Sequence, residues 1–134
     1  MTVRGIHHLG VAVADLDEAL ATYSALFGAR VEHRSTVPDQ GVDAMSLLVG
    51  ADRIELVSPT DADTPVGRFL ASHGPGMHHV AYEVDDLPGE LARLEGEGAE
   101  LIDASPRQGL FGMQVAFVHP ESAHGVLSEL VARG

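Results

Sequence analysis

An internal repeat restricts the fold of this chain more than any other feature of its sequence. The segment His8-Leu-Gly-Val-Ala-Val-Ala-Asp-Leu16 returns 71 positions later as His79-Val-Ala-Tyr-Glu-Val-Asp-Asp-Leu87. The segment Glu55-Leu-Val57 returns 74 positions later as Glu129-Leu-Val131. Two repeated segments in the same order and at nearly the same offset indicate duplication of a module of about 70 residues.

Both halves have the pattern of a βαβββ module. In the first half, Asp15 or Asp17 is the predicted N-cap of a helix that ends at Gly28, because short polar residues favour N-caps and glycine favours the C-terminal end. Hydrophobic alternation and turn residues predict the strands. The predicted strands are 4–13, 30–36, 42–49 and 53–58 in the first half and 77–84, 99–104, 113–118 and 125–132 in the second, which has a helix at 87–96.

These elements predict an α+β fold in a single domain, 1–134. Two βαβββ modules, residues 1–58 and 77–134, are expected to lie side by side and form a curved mixed sheet around a shared cleft. Residues 59–76 form the predicted linker, with a short helix at 65–72 after Thr64-Pro65.

Composition excludes several classes of function. The chain has no cysteine, which excludes disulfides, thiolate zinc sites, iron–sulfur clusters and cysteine nucleophiles and favours a cytoplasmic location. Its formal net charge is −12 and all eight of its basic residues are arginine, so direct nucleic-acid binding is disfavoured and Schiff-base chemistry is excluded. No apolar run is long enough to span a membrane, and no membrane partner is expected.

Four polar residues occupy equivalent strand positions in the two halves: His8, Glu55, His79 and Glu129. Alternation along each strand places them on the face opposite the apolar residues that pack against the helices. Taken singly, a His or Glu on a strand is usually solvated, but the repeat brings two His–Glu pairs to matching positions. Two imidazoles and two carboxylates suit a divalent ion of intermediate hardness, such as Mn²⁺, Co²⁺, Ni²⁺, Zn²⁺ or Fe²⁺.

The sequence resembles the vicinal-oxygen-chelate superfamily, which includes glyoxalase I, extradiol dioxygenases and bleomycin-resistance proteins, and within it the methylmalonyl-CoA epimerase family. The resemblance covers nearly the whole chain in the order and spacing of its motifs. These motifs include Pro38-Asp-Gln-Gly-Val42, Thr64-Pro-Val-Gly-Arg-Phe-Leu70, Gly76-Met-His-His-Val-Ala81, Pro106-Arg-Gln-Gly109 and Gly125-Val-Leu-Ser-Glu-Leu-Val131.

The resemblance implies interconversion of (2R)- and (2S)-methylmalonyl-CoA, a small-molecule substrate, by removal of the α-proton to give an enolate. It implies a glyoxalase-like fold, a homodimer, and a divalent metal, Co²⁺ or Mn²⁺ first, with Ni²⁺, Zn²⁺ and Fe²⁺ as alternatives. The implied metal ligands are His8, Glu55, His79 and Glu129. Glu129 is also the implied catalytic base, because enolate formation needs a group that accepts the α-proton.

The sequence departs from the family pattern at the position of a second base. Several family members carry Glu two residues after the Gly-Val of the turn motif, where this chain has Ala44. Asp43 is adjacent, but alternation turns it to the opposite face unless a bulge intervenes. A water on the metal, or Glu129 acting on both faces, would then replace the missing carboxylate.

Binding of the coenzyme A phosphates is expected to need arginine, since lysine is absent. Arg107, Arg68 and Arg53 are the candidate cations, and Gln40 of the turn motif is a further candidate for substrate binding.

Two other functional classes stay open on the sequence. One is a different metal-dependent enzyme of the superfamily, a glyoxalase-type lyase or an extradiol-type dioxygenase with two His and one Glu on Fe²⁺. The other is a metal-free ligand-binding resistance protein. Retention of all four candidate ligands argues against the latter.

Overall fold

The computed structural model describes residues 3–133, and these residues contain eight β-strands and three α-helices. The chain divides into two compact units, His8–His78 and the combination of Met1–His7 with His79–Gly134. No helix among the described residues is long and apolar enough to cross a membrane. The strands and helices are β1 Val3–Ala12, α1 Leu16–Phe27, β2 Arg30–Val37, β3 Val42–Val49, β4 Asp52–Pro59, α2 Pro65–His73, β5 Gly76–Val84, α3 Leu87–Gly96, β6 Arg107–Gln108, β7 Gln114–Val118 and β8 Ser128–Ala132.

In the unit His8–His78 the strands follow the spatial order β2-β3-β4-β1. β3 is antiparallel to both of its neighbours, and β1 runs parallel to β4 with Gly10 opposite Glu55. Helix α1 makes the crossover that this parallel pair requires. Asp15 caps α1 by accepting a hydrogen bond from the backbone N–H of Glu18, and Gly28 ends it at a φ of 67°, a conformation that favours glycine.

Helix α1 covers one face of this sheet. The core on that face is apolar, with Leu16 from the helix packed against Met45, Leu47 and Leu56 from the strands. Because neighbouring residues along a strand point to opposite faces, His8, Glu55 and Ser46 lie on the other face.

In the second unit the strands follow the order β5-β8-β7-β6. β5 and β8 are parallel with Ala81 opposite Glu129, and β7 is antiparallel to β8 and β6. Helix α3 begins after its N-cap Asp86 and packs its buried residues against this sheet. The apolar core of the unit comprises Val84, Leu87, Leu91, Ala116, Val118, Leu130 and Ala132. The two units therefore share one local topology, as the repeat predicts.

The second half differs from its sequence prediction at the strand expected over 99–104. Only Leu101 makes a β-bridge there, to Val118. The carboxylate of Asp103 accepts the backbone N–H of Phe117 at 2.9 Å, and the backbone N–H groups of Ile102 and Asp103 share the carbonyl of Phe117. A side chain thus takes the place of a backbone acceptor, and a continuous ladder cannot form. The strand expected at 125–132 begins only at Ser128, after a 3-10 helix over Pro120–Ala123.

Most other elements agree with the sequence predictions to within about two residues, including the linker helix, which spans Pro65–His73. The α+β class is confirmed. The assignment of 1–134 to a single domain, with modules 1–58 and 77–134 and linker 59–76, stays a prediction.

Candidate functional site

The first His–Glu pair lies on β1 and β4 in the unit His8–His78. His8 Nε2 is 3.5 Å from Glu55 Oε2, and the two side chains are 2% and 12% exposed. The parallel register, with Gly10 opposite Glu55, sets His8 beside that carboxylate on the face away from α1. The pair is therefore held by backbone pairing rather than by a flexible loop.

The second His–Glu pair has the same construction in the other unit. His79 Nε2 is 3.4 Å from Glu129 Oε1, and the side chains are 4% and 6% exposed. Phe117 lies opposite Glu129 on β7, and its ring meets that of His79 edge-on with centroids 6.1 Å apart. This aromatic wall excludes water from one side of the pair, so the carboxylate is in a largely apolar setting.

The geometry of both pairs fits ligation of a metal ion. A charge-assisted N–H···O bond has a heavy-atom distance of about 2.7–2.9 Å, and the N···O distances of 3.4 and 3.5 Å are longer. Ligand atoms each about 2.0–2.2 Å from one ion stand about 3.0–3.5 Å apart at octahedral to tetrahedral angles. Imidazole and carboxylate donors suit first-row divalent ions.

Several residues on the faces that carry the two pairs are small or aliphatic. Gly10 and Ala12 follow His8 on β1, and Ala44 on β3 lies opposite Val57 on β4. In the other unit Ala81, Val115 and Val131 form a compact apolar cluster. Both pairs therefore have apolar neighbours on their own face of the sheet.

Three comparisons identify relatives of the chain. The sequence profile of the Glyoxalase/Bleomycin resistance protein/Dioxygenase superfamily matches residues 7–117. The ethylmalonyl-CoA/methylmalonyl-CoA epimerase of Cereibacter sphaeroides is 35% identical over 127 residues, covering 93% of this chain and 95% of that protein. The chain therefore belongs to the methylmalonyl-CoA epimerase family of this superfamily.

Solved structures of family members share the fold over almost the whole chain. Methylmalonyl-CoA epimerase from Mycobacterium tuberculosis has a TM-score of 0.95 at 36% identity and covers 99% of this chain and 90% of its own. A variant of the Streptomyces coelicolor enzyme in complex with 2-nitronate-propionyl-CoA has a TM-score of 0.95 at 34% identity and covers 99% of both chains. The predicted glyoxalase-like fold is confirmed.

Position 44, where the resemblance implies a second base, has no carboxylate in this chain. Ala44 is fully buried on the face of Glu55, opposite Val57. Asp43 lies on the other face, where its carboxylate accepts a hydrogen bond of 2.5 Å from Thr36 Oγ1. Pairing is regular through both residues, and no bulge turns Asp43 toward Glu55.

Arg53 lies close to Glu55 but is engaged by another carboxylate. Its Nε and Nη2 donate to Glu32 at 2.7 and 3.0 Å, and Ser46 Oγ donates to the same carboxylate at 2.7 Å. The hydrogen bond from Arg53, supported by that from Ser46, lowers the pKa of Glu32 from 4.5 to about 2. Arg53 is thus part of a compact ionic group, and its candidate role in binding the coenzyme A phosphates stays a prediction.

The other substrate-binding candidates lie in different places. Arg107 is on the same face as Glu129, two strands across, because it is opposite Val115, which is opposite Val131. Its Nη1 is 3.4 Å from Asp103. Arg68 is exposed on α2 and pairs with Asp63 at 3.1 Å.

Gln40 and Arg53 lie at opposite ends of the β3–β4 pair. Gln40 comes just before Val42, which pairs with Pro59, whereas Arg53 pairs with Leu48. Six residues of strand separate Arg53 from Pro59, or about 20 Å. Gln40 and Arg53 therefore do not contact the same group of a small ligand.

Sequence reasoning missed three residues beside the two pairs: Glu32, Ser46 and Phe117. Alternation from Ala44 along β3 could have identified Ser46. Only the pairing of β7 with β8 shows that Phe117 lies opposite Glu129. Glu32 gives no such signal, because the register of β2 shifts between Val31 and His33.

Proposed function

We propose that this protein interconverts (2R)- and (2S)-methylmalonyl-CoA by removing and returning the α-proton of the malonyl group. The observation that carries the proposal is the presence of two matching His–Glu pairs, each buried and each spaced for metal ligation. The relatives named for this reaction support the choice of substrate, since their sequences and structures match over nearly the whole chain.

His8, Glu55, His79 and Glu129 are proposed to hold one divalent metal ion together. Co²⁺ and Mn²⁺ are the proposed ions, with Ni²⁺, Zn²⁺ and Fe²⁺ as alternatives of similar ligand preference. As a Lewis acid, such an ion stabilises the negative charge that develops on the thioester and carboxylate oxygens as the α-proton leaves. Two features of the chain support this proposal. Each pair supplies one imidazole and one carboxylate, and the two pairs occupy equivalent positions in the repeat.

Glu129 is the proposed base. Its carboxylate is buried beside the ring of Phe117 and the apolar residues Ala81 and Val131. Little water reaches the carboxylate in this setting. The carboxylate therefore has little hydration to lose before it accepts the substrate proton, which favours proton transfer. Because Ala44 supplies no second carboxylate, we propose that Glu129 also returns the proton.

Recognition of the coenzyme A part is proposed for Arg107 first. Arg107 shares the face of Glu129 on a strand edge, where a long substrate can extend away from the acid–base group. Arg68 and Gln40 are further candidates. Arg53 is the weaker choice because Glu32 already neutralises it. The proposed homodimer and cytoplasmic location rest on the family resemblance and on the cysteine-free sequence, respectively.

The deciding experiment follows hydrogen exchange at the α-carbon. The Co²⁺-loaded protein is incubated with (2R)- and with (2S)-methylmalonyl-CoA in D₂O, and NMR measures both deuterium incorporation and the change in configuration. Glu129→Gln is the test variant, since it keeps the side-chain shape and removes the base. Asp43→Asn is the matched control, because Asp43 lies on the opposite face from Glu55.

The proposal expects rapid exchange and epimerisation in the wild type and in Asp43→Asn, and loss of both in Glu129→Gln. Exchange without epimerisation would contradict the proposal that Glu129 serves both faces. Absence of exchange in a metal-loaded protein would refute the epimerase assignment and favour another chelating substrate of the superfamily. Failure to bind a metal would favour a ligand-binding resistance protein.

A further inference from the structure

An exposed phenylalanine occupies a backbone conformation that is unfavourable for its type. Phe111 has a φ of 56° and a ψ of 38°, in the left-handed region, and 41% of the residue is exposed. Bulky side chains are rare in this region, where Asn and Asp are the commoner choices after glycine. Strained residues of this kind cluster at functional sites. Phe111 is therefore a candidate for contact with a ligand.

The loop that carries this residue, 109–113, joins β6 to β7 and is tightly held; we refer to it as the Phe111 loop. The backbone N–H of Gly109 donates to the carbonyl of Met113 at 2.9 Å, and the N–H of Met113 donates to the carbonyl of Leu110 at 3.0 Å. Leu110 is buried, and a Cβ on Gly109 would lie 2.6 Å from the side chain of Val115. A compact turn thus presents the ring of Phe111.

The Phe111 loop adjoins the face of the sheet that carries Glu129. Met113, the last residue of the loop, packs against a cluster that includes Ala81 and Val131. Ala81 lies opposite Glu129, and Val131 follows Glu129 by two residues on the same strand, so both share its face. The loop is therefore continuous with the apolar surface around the proposed base.

Glu129, Arg107 and the Phe111 loop follow one another in one direction along the strands. Arg107 is level with Val131 through their common pairing with β7, two residues beyond the level of Glu129. The loop begins two residues beyond Arg107. At about 3.4 Å per residue, Arg107 is about 7 Å and the start of the loop about 13 Å from the level of Glu129.

This order matches the order of the chemical groups in the proposed substrate. In methylmalonyl-CoA the pantetheine arm separates the malonyl group from the diphosphate, and the adenosine follows the diphosphate. With the malonyl carbon at Glu129 and phosphate at Arg107, the adenine lies near the Phe111 loop. An aromatic side chain stacks on a nucleobase because both present flat π faces.

We propose that the exposed ring of Phe111 stacks on the adenine of the coenzyme A substrate and anchors the end of the molecule that is remote from the reacting carbon. This inference rests on the proposed function, because it takes the malonyl group to lie at Glu129 and phosphate to lie at Arg107. It assigns Phe111 to substrate binding and not to the chemical step.

The test measures ligand binding without turnover. Coenzyme A, and 4′-phosphopantetheine as the probe that lacks the adenosine part, are titrated into the full-length protein and followed by NMR. Phe111→Asn is the test variant, since Asn tolerates the left-handed conformation and has no ring. It is expected to weaken coenzyme A binding about tenfold and to leave 4′-phosphopantetheine binding unchanged. Phe27→Asn is the matched control, because Phe27 is an exposed phenylalanine on α1, and both affinities should stay at the wild-type values.

Two further measurements separate stacking from a merely structural role of the ring. Phe111→Trp keeps an aromatic face and is expected to bind coenzyme A within about threefold of the wild type. At saturating coenzyme A, the wild type is expected to show nuclear Overhauser effects between the Phe111 ring protons and the adenine H2 and H8 protons. A ring that only holds the loop in place predicts equal losses for both ligands and no such effect.

Steady-state kinetics adds a readout on the proposed reaction. Phe111→Asn should raise KM for methylmalonyl-CoA about tenfold and leave kcat nearly unchanged, because the adenine is remote from the reacting carbon. An equal fall in kcat would contradict the assignment of Phe111 to binding alone.

Several outcomes would overturn the inference. These are an unchanged coenzyme A affinity in Phe111→Asn, an equal loss for both ligands, or the absence of an Overhauser effect between the ring and the adenine. The last measurement uses the wild type and decides the matter if Phe111→Asn does not fold. A wild type that shows the adenine contact but exchanges no α-proton would refute the proposed reaction and support this inference. One that epimerises methylmalonyl-CoA without the adenine contact would do the reverse.

Discussion

The ion pair between Glu32 and Arg53 should make a measurable, pH-dependent contribution to stability. The pKa of Glu32 falls from 4.5 to about 2 because Arg53, and secondarily Ser46, donates hydrogen bonds to the ionised form. At about 1.4 kcal/mol for each tenfold change in the acid dissociation constant, this difference corresponds to about 3 kcal/mol. Because both side chains are about a fifth exposed, we expect Glu32→Gln to cost about 2–3 kcal/mol at pH 7.

The sign of the pH dependence follows from the lowered pKa. A carboxyl group whose pKa is lower in the folded state stabilises the fold fully above its unfolded pKa of about 4.5. The contribution declines as the pH falls from about 4.5 to about 2, because over this range the unfolded state binds a proton that the folded state does not. The difference in unfolding free energy between wild type and Glu32→Gln should therefore narrow steadily over this range.

Urea unfolding of the chelator-treated protein at a series of pH values from 7 down to 3 measures this difference without interference from bound metal. Asp17→Asn is the matched control, because the exposed Asp17–Arg34 pair should contribute about 0.5 kcal/mol or less. A loss in Glu32→Gln that stays constant from pH 7 to pH 3 would refute the electrostatic reasoning and assign the effect to packing alone.

Three further changes give distinct expectations. Gly67→Ala should lower the unfolding free energy by about 2 kcal/mol or more in urea titrations, because its Cβ would lie 2.5 and 2.8 Å from two backbone carbonyl oxygens of the preceding turn; wild-type stability would contradict this. Arg107→Met should raise KM for methylmalonyl-CoA about tenfold in steady-state assays and leave kcat nearly unchanged, and equal loss in kcat would place Arg107 at the reacting centre instead. Asp43→Asn should keep kcat within about twofold of wild type, since the Asp43 carboxylate accepts a hydrogen bond from Thr36 on the opposite face; a large fall in kcat would instead indicate Asp43 as a second base.

The two His–Glu pairs could be predicted because the relevant signals are local. A strand alternates its side chains between two faces, so the position of His8 relative to Val11 fixes the face on which it lies. The repeat then relates His8 to His79 and Glu55 to Glu129 without any structure. The 3.4 and 3.5 Å separations within the pairs are consistent with that expectation, although the role of these residues in metal binding stays a prediction.

The prediction was weakest where a polar side chain replaces a backbone hydrogen bond. The segment 99–104 has the apolar pattern of a strand, but Asp103 accepts the N–H of Phe117 and ends the ladder after a single bridge. Hydrophobic periodicity contains no information about this event, because it depends on which distant backbone group comes within reach of the carboxylate. The 3-10 helix over Pro120–Ala123 was also not predicted, although its recorded signals are local: Pro120 begins it and the side chain of His119 caps it.

The amino-acid sequence by itself determined the duplicated βαβββ order, the C-terminal end of α1 at Gly28 and the face on which each candidate ligand lies. These properties depend on residues a few positions apart, or on the comparison of one half with the other. Only the tertiary structure decided that Arg53 pairs with Glu32 and that Phe117 covers His79. Each of these contacts spans three neighbouring strands. They depend on strand register, including the register shift in β2, and on how far long side chains reach. The identities of the residues alone reveal neither.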